Sequence, residues 1–191
     1  VLTGALNDVG GSLRTNVDDS YRTGIELTGG YIFGKMLKWS GNITYGQSKI
    51  KEYVEDLNDY GEGGVVTRKY NDTYIAYSPD IIGASEFTLT PAKRFDVVLF
   101  SKYVGKQYLD NTASNERMLD PYFVNDLIIN YTFKTKFIKE IELNLMVNNI
   151  FNVKYESNGY AFGYVYGDEF REVYYYPQAG TNFLAGLKLR F

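Results

Sequence analysis

The chain has 191 residues, enough for one domain, with a net charge of −3 and a sequence pI near 5.1, which argues against a nucleic-acid partner. Hydrophobic residues make up 45% and mean hydropathy is −0.28, so no stretch approaches the roughly 18 apolar residues of a membrane-spanning helix. There is no Cys and no His, which removes disulfides, the usual zinc sites, and Ser–His or Cys–His nucleophile pairs.

Period-two patterning runs from end to end. Val1–Asp8 reads as a truncated strand. Ser20–Phe33 follows, with Tyr21, Ile25, Leu27, Tyr31 and Phe33 on one face and Arg22, Glu26 and Thr28 on the other. Leu37–Tyr53 sets Trp39, Ile43 and Tyr45 against Lys38, Ser40, Asn42 and Thr44. Ile81–Thr90 and Phe95–Gln107 come next. Tyr122–Phe133 aligns Phe123, Leu127, Ile129, Tyr131 and Phe133, and Ile141–Asn149 sets Leu143, Leu145 and Val147 against Glu142, Asn144 and Asn148. Ala179–Phe191 closes the chain with Phe183, Leu187, Leu189 and Phe191 on one face, broken by Leu184 on the other. That is about eight strands, most long enough to cross a bilayer at about 9–11 residues each.

The connections alternate in length. Gly34–Met36, Pro91–Arg94 and Lys134–Glu140 are short and basic. Val9–Asp19, Val54–Pro79, Tyr108–Pro121 and Asn152–Gln178 are long and gather acid. Tyr21 and Tyr31, and again Phe123 and Phe133, stand ten residues apart on one face. Ten residues tilted near 45° rise roughly 23 Å, close to the height of an apolar band with an aromatic girdle at each rim. A soluble β-sandwich would not sort its connections this way. The expectation is an all-β, antiparallel up-and-down transmembrane β-barrel in an outer membrane, with short turns and the C-terminus in the periplasm.

Several runs carry a family resemblance: Ser20-Tyr-Arg-Thr-Gly-Ile-Glu-Leu27, Tyr77-Ser-Pro-Asp-Ile-Ile82, Ser101-Lys-Tyr-Val-Gly-Lys-Gln-Tyr-Leu-Asp-Asn-Thr112, Leu145-Met-Val-Asn-Asn-Ile-Phe-Asn-Val-Lys-Tyr155 and Gly186-Leu-Lys-Leu-Arg-Phe191. Together they resemble the C-terminal third of a TonB-dependent outer-membrane receptor. The resemblance implies that residues 1–191 form the last eight or so strands of a twenty-two-stranded barrel, with the plug and TonB box outside this chain. No signal peptide precedes Val1, so either processing removed it or the chain is a piece of something longer. The implied activity is uptake of a scarce nutrient: an iron–siderophore complex, a cobalamin or a glycan fragment. The implied partners are outer-membrane lipid, that nutrient, the TonB-type energy-transducing complex reached through the N-terminal region, and, in some branches, a surface lipoprotein. Haem is disfavoured by the missing axial His. A complete eight-stranded barrel with an anchoring or adhesion role is the alternative.

No catalytic residues, metal ligands or cofactor site emerge. Asp56/Asp59 and Asp168/Glu169 are the only candidates for a glycosidase-type carboxylate pair, and they read as solvated loop charge. Glu55–Glu62 lacks EF-hand spacing, and Gly61–Gly64 lacks the Lys and helix of a phosphate loop. Ligand contact is expected on the external loops, at Tyr60, Arg68, Tyr160, Tyr164 and Tyr166, because tyrosines on a loop offer stacking faces and hydroxyls. The competing reading of Asn152–Gln178 is a pair of strand extensions above the membrane. Arg68 and Lys69 either attract an anionic ligand or pair with Asp56 and Asp59.

Overall fold

Alternating side chains produce one long antiparallel wall. The computed structural model describes residues 1–7 and 9–191, and contains no helix among them. Seven strands make the wall: β3 (Ser20–Phe33), β4 (Leu37–Asp59), β6 (Ile81–Ala92), β7 (Phe95–Val104), β10 (Tyr122–Phe133), β11 (Glu140–Asn148) and β14 (Asn182–Arg190). Each pairs antiparallel with the next in that order. β3 and β14 are not paired with each other, so the chain alone forms an open sheet. This sets aside the alternative of a complete small barrel, since an unpaired strand edge is not tolerated in hydrocarbon.

Register turns the alternation into rows. Tyr31, Trp39, Phe87, Leu99, Leu127, Val147 and Phe183 stand side by side across all seven strands. At the short-turn end, Tyr31 packs on Phe33, and Tyr131 packs between Phe95 and Phe133. Tyr21, Tyr45, Tyr103 and Phe123 stand exposed toward the other end. The opposite face is polar: Asn144 donates to Asn130 at 2.7 Å, Asn148 to Asn182 at 2.9 Å, and Lys188 pairs with Glu142 at 3.5 Å. Large apolar side chains exposed on one face and hydrogen-bonded polar ones on the other fit lipid outside and a wet interior. β14 ends beside Glu140, so the C-terminus lies at the short-turn end.

Beyond the wall the chain keeps pairing. β4 runs past the wall to Asp59, where β5 (Val65–Tyr74) pairs along its upper half. β12 (Glu156–Tyr166) and β13 (Asp168–Pro177) form a hairpin between β11 and β14. β8 (Gln107–Tyr108) and β9 (Met118–Leu119) pair briefly in the connection between β7 and β10. Thus Val54–Pro79, read above as a loop, is mostly strand, and Asn152–Gln178 follows the reading of paired strand extensions.

The first segment departs from expectation. β1 (Leu2–Leu6) pairs with β2 (Ser12–Arg14) in a separate two-stranded sheet packed on upper β4 and β12. The expected strand Val1–Asp8 is therefore not a wall strand, and Asp8 lies outside the described residues. Gly4 takes a φ of +93°, a conformation that interrupts a regular strand. Side chains replace a neighbouring strand: Tyr53 Oη and Asn111 Nδ2 donate to the Leu2 carbonyl, and Asn58 Nδ2 donates to that of Leu6. The expected count of about eight strands agrees broadly with the seven wall strands, and β1 makes the difference.

Candidate functional site

The long connections assemble into one canopy over the end of the wall opposite the short turns. Its centre is Glu55 on β4, 2% exposed. Arg171 on β13 donates to it bidentately, Nη1 to Oε1 at 2.6 Å and Nη2 to Oε2 at 2.8 Å, and Tyr70 Oη donates to Oε2 at 3.0 Å. A buried carboxylate requires such partners, because an unpaired charge in a low-dielectric site is costly. Arg171 also holds Glu169 at 2.7 Å, and Arg68 on β5 reaches Glu169 at 3.3 Å.

The charges show the same coupling. Burial pulls the Arg171 pKa down, but Glu55 and then Glu169 more than reverse it, and the guanidinium holds its proton more firmly than usual. Burial pushes the Tyr53 and Tyr70 phenols up, and the Glu55 charge adds to it. Burial works to raise Glu169, yet hydrogen bonding and charge from Arg171, then Arg68, bring it below the ordinary carboxylate value.

Glycine permits the close approach of β12 to Arg171 and Leu57. A Cβ on Gly163 would meet Arg171 Nη1 at 2.8 Å and Leu57 Cδ2 at 3.0 Å. Through this small-residue face β12 lies on β4, and the two strands share a short parallel bridge, Tyr164 with Asn58 and Val165 with Asp59. The Tyr60 N–H donates to the Val165 carbonyl at 2.8 Å. The opposite face of the hairpin carries the rings. Tyr160 stacks on Phe162 and Tyr174, Phe162 on Tyr164, and Tyr164 on Phe170, at centroid separations from 5.0 to 6.4 Å. Tyr164 and Tyr174 both donate to the Glu172 carboxylate.

The residues singled out from sequence fall near one another. Tyr60 sits at the β4–β5 tip, 59% exposed, with its ring 6.0 Å from that of Tyr164. Tyr160 and Tyr164 belong to the ring array, and Tyr166 stands 65% exposed at the β12–β13 turn. Arg68 pairs with Glu169 rather than with Asp56 or Asp59, and Lys69 pairs with Glu52. Asp56 instead accepts from Thr67, and Asp59 caps its own turn through the Gly61 and Glu62 N–H groups. Sequence reasoning missed the Glu55–Arg171 pair. The signal available was a single Arg among Asp168, Glu169 and Glu172. It also missed the buried knot beside it, where Asp110 accepts from Thr112 and Arg117, and Asn111 ties Ala76 to Leu2.

A family model described as TonB dependent receptor-like, beta-barrel matches residues 1–150. The chain belongs to that family. Two solved structures of such barrels are similar to it: the siderophore receptor PiuA from Acinetobacter baumannii and the ferric yersiniabactin uptake receptor FyuA from Yersinia pestis. PiuA matches at 17% identity with a TM-score of 0.67 over 88% of this chain and 21% of PiuA. FyuA matches at 17% identity with a TM-score of 0.59 over 88% of this chain and 23% of FyuA. No curated protein matches the chain. At such identity the likeness concerns the fold, and the chain spans about a fifth of each receptor's length. As a TonB-dependent receptor barrel it is an outer-membrane protein, and its seven strands are barrel wall. The β12–β13 hairpin lies beyond the matched residues of the family model.

Proposed function

We propose that residues 1–191 form the C-terminal part of the barrel of an uptake receptor, and that its canopy contacts a scarce nutrient. The observation that carries this reading is the array of exposed rings on the β12–β13 hairpin. Tyr164 pairs with Asn58, near the tip of β4 and roughly 43 Å of strand beyond the exposed Tyr45. Rings at that level stand outside an apolar band about 25 Å tall, so they face solvent rather than lipid. Tyr60, Tyr160, Tyr164 and Tyr166 supply stacking surface and hydroxyls, and Arg68 supplies positive charge at the edge.

The plug and TonB box belong to the N-terminal region of the longer receptor, through which the TonB-type complex acts. The C-terminus and short turns face the periplasm, and the canopy faces the exterior, where a surface lipoprotein would cap it. An iron–siderophore complex, a cobalamin and a glycan fragment are the nutrient classes; the siderophore class is favoured by the descriptions of PiuA as a siderophore receptor and FyuA as a ferric yersiniabactin uptake receptor. The test is a strain lacking the full-length receptor, assayed for uptake of labelled ferric siderophores, cobalamin and glycan fragments. Loss of one uptake, restored by the receptor and weakened at least tenfold by Tyr160→Ala with Tyr164→Ala, is expected. Unchanged uptake of all three classes overturns the reading.

A further inference from the structure

The lipid-facing side of the wall holds a trench that nutrient uptake does not use. Register aligns Gly29, Gly41, Ser85, Ser101 and Asn125 across β3, β4, β6, β7 and β10. They occupy the face that elsewhere presents large apolar side chains. One flanking row begins with Leu27 and Ile43 and ends with Tyr103 and Phe123; the other includes Trp39 and Phe87. Between them lies a groove of about 630 Å³, walled by those six side chains and lined by no charged residue. That volume is within the range of built ligand sites, roughly 300–1,000 Å³. Five strands at about 4.8 Å spacing make the floor roughly 19 Å long.

The floor offers an occupant almost no hydrogen bonds. Trp39 Nε1 donates to Ser85 Oγ at 2.9 Å, and Ser101 Oγ donates to Asn125 Oδ1 at 2.6 Å. Asn125 Nδ2 has no partner among the described residues, but it is sealed below the surface in a residue only 5% exposed. The groove is therefore long, narrow, uncharged and continuous with the surface that meets lipid. No water in the hydrocarbon layer fills such a hollow. Its two ends differ. A Cβ on Gly29 would meet nothing within 4 Å, while Tyr103 and Phe123 stand at the β10 end. Gly29 is four residues from the end of β3 at the short turns, on the side we assign to the periplasmic leaflet, which is the phospholipid leaflet.

We propose that this trench seats one acyl chain of a phospholipid, held as a resident of the receptor. The assignment depends on which face meets lipid, not on which nutrient is carried. The test is native mass spectrometry of the full-length receptor released from outer membranes into mild detergent. Gly29→Leu fills the groove at its β3 end. Ala185→Leu places the same side chain on the lipid-facing side of β14, away from the groove. Heat-dependent gel mobility verifies folding of each, and Gly83→Val, whose Cβ meets only ordinary contacts, serves if Gly29→Leu does not fold. The expected result is a bound phospholipid mass on the parent and on Ala185→Leu, reduced at least fivefold by the groove-filling variant. Equal retention by that variant, no retained phospholipid on the parent, or retained lipid A or polypeptide in its place overturns the proposal.

Discussion

Replacing Arg171 by Ala tests the centre of the canopy. In the parent chain the Glu55 carboxylate is 2% exposed and accepts two hydrogen bonds from Arg171 and one from Tyr70. The substitution leaves a buried charge with the tyrosine alone. Breaking a buried pair in this way costs about 3–5 kcal/mol, whereas the exposed contacts of Glu169 add less than about 1 kcal/mol. At about 1.4 kcal/mol per tenfold, the opening equilibrium of the β12–β13 hairpin shifts by at least about 100-fold. Hydrogen exchange of the full-length receptor in detergent reads this directly. The Tyr60 amide, bonded across to Val165, exchanges at least about 100-fold faster, while amides of β7 and β10 in the wall do not change. Removing both partners, Glu55→Leu with Arg171→Leu, restores protection to within about tenfold, because no charge is then stranded. Acceleration below threefold in Arg171→Ala, or equal acceleration in the wall, would refute the clasp.

Other perturbations probe its neighbours. Gly163→Ala places a methyl 2.8 Å from Arg171 Nη1, which costs about 1–3 kcal/mol of overpacking and speeds tryptic cleavage after Arg171 at least fivefold; unchanged cleavage contradicts it. Asn111→Ala strands the Ala76 N–H and leaves the Leu2 carbonyl held by Tyr53 Oη alone, at about 1–3 kcal/mol, so amides of β1 lose exchange protection while those of β11 keep theirs. The canopy also loosens at both pH extremes. Glu169 is depressed, so its contribution is complete above the unfolded value near about 4.3 and is lost as pH falls through its lower folded value. Tyr70 is raised, so its contribution is complete below about 10 and is lost as pH rises through its higher folded value. Tyr60 amide protection, corrected for intrinsic rate, should fall on both flanks; a flat profile from pH 3 to 11 counts against this assignment.

The wall was legible because the bilayer forces it to be. A strand with lipid on one side and water on the other must alternate, and Ser20–Phe33 and Tyr122–Phe133 coincide with β3 and β10 at both ends. Outside the membrane that demand lapses. β5 carries Arg68, Lys69, Tyr70, Asn71 and Asp72 in succession and has no apolar face, so it read as loop. β12 alternates small residues with aromatic ones and β13 carries Phe170 and Tyr174 to Tyr176, a pattern that favours strand extensions without showing which strand they lie on. β1 alternates, but over too few residues to show whether its neighbour is a wall strand or a local hairpin. The clasp was illegible for another reason. Glu55 and Arg171 are 116 residues apart, and only the fold brings them together.

The same sheet thus obeys two rules along its length. In the wall, the apolar side chains face lipid rather than a core, and stability rests on hydrogen-bond ladders that lipid cannot compete for. Above it, water competes for every backbone group, and the bridge between β12 and β4 is only two residue pairs long. So short a bridge does not fix register by itself. Glycines at 159, 163 and 167, four residues apart, would let the hairpin slide by four residues with a glycine still against Leu57. The bidentate Glu55–Arg171 pair removes that freedom, since its two bonds form in one alignment. A one-residue slip would instead turn Arg171 onto the ring-bearing face and bury the tyrosines against Leu57. A costly buried ion pair is therefore what keeps the aromatic face exposed in one fixed register, as the proposed contact with a ligand requires.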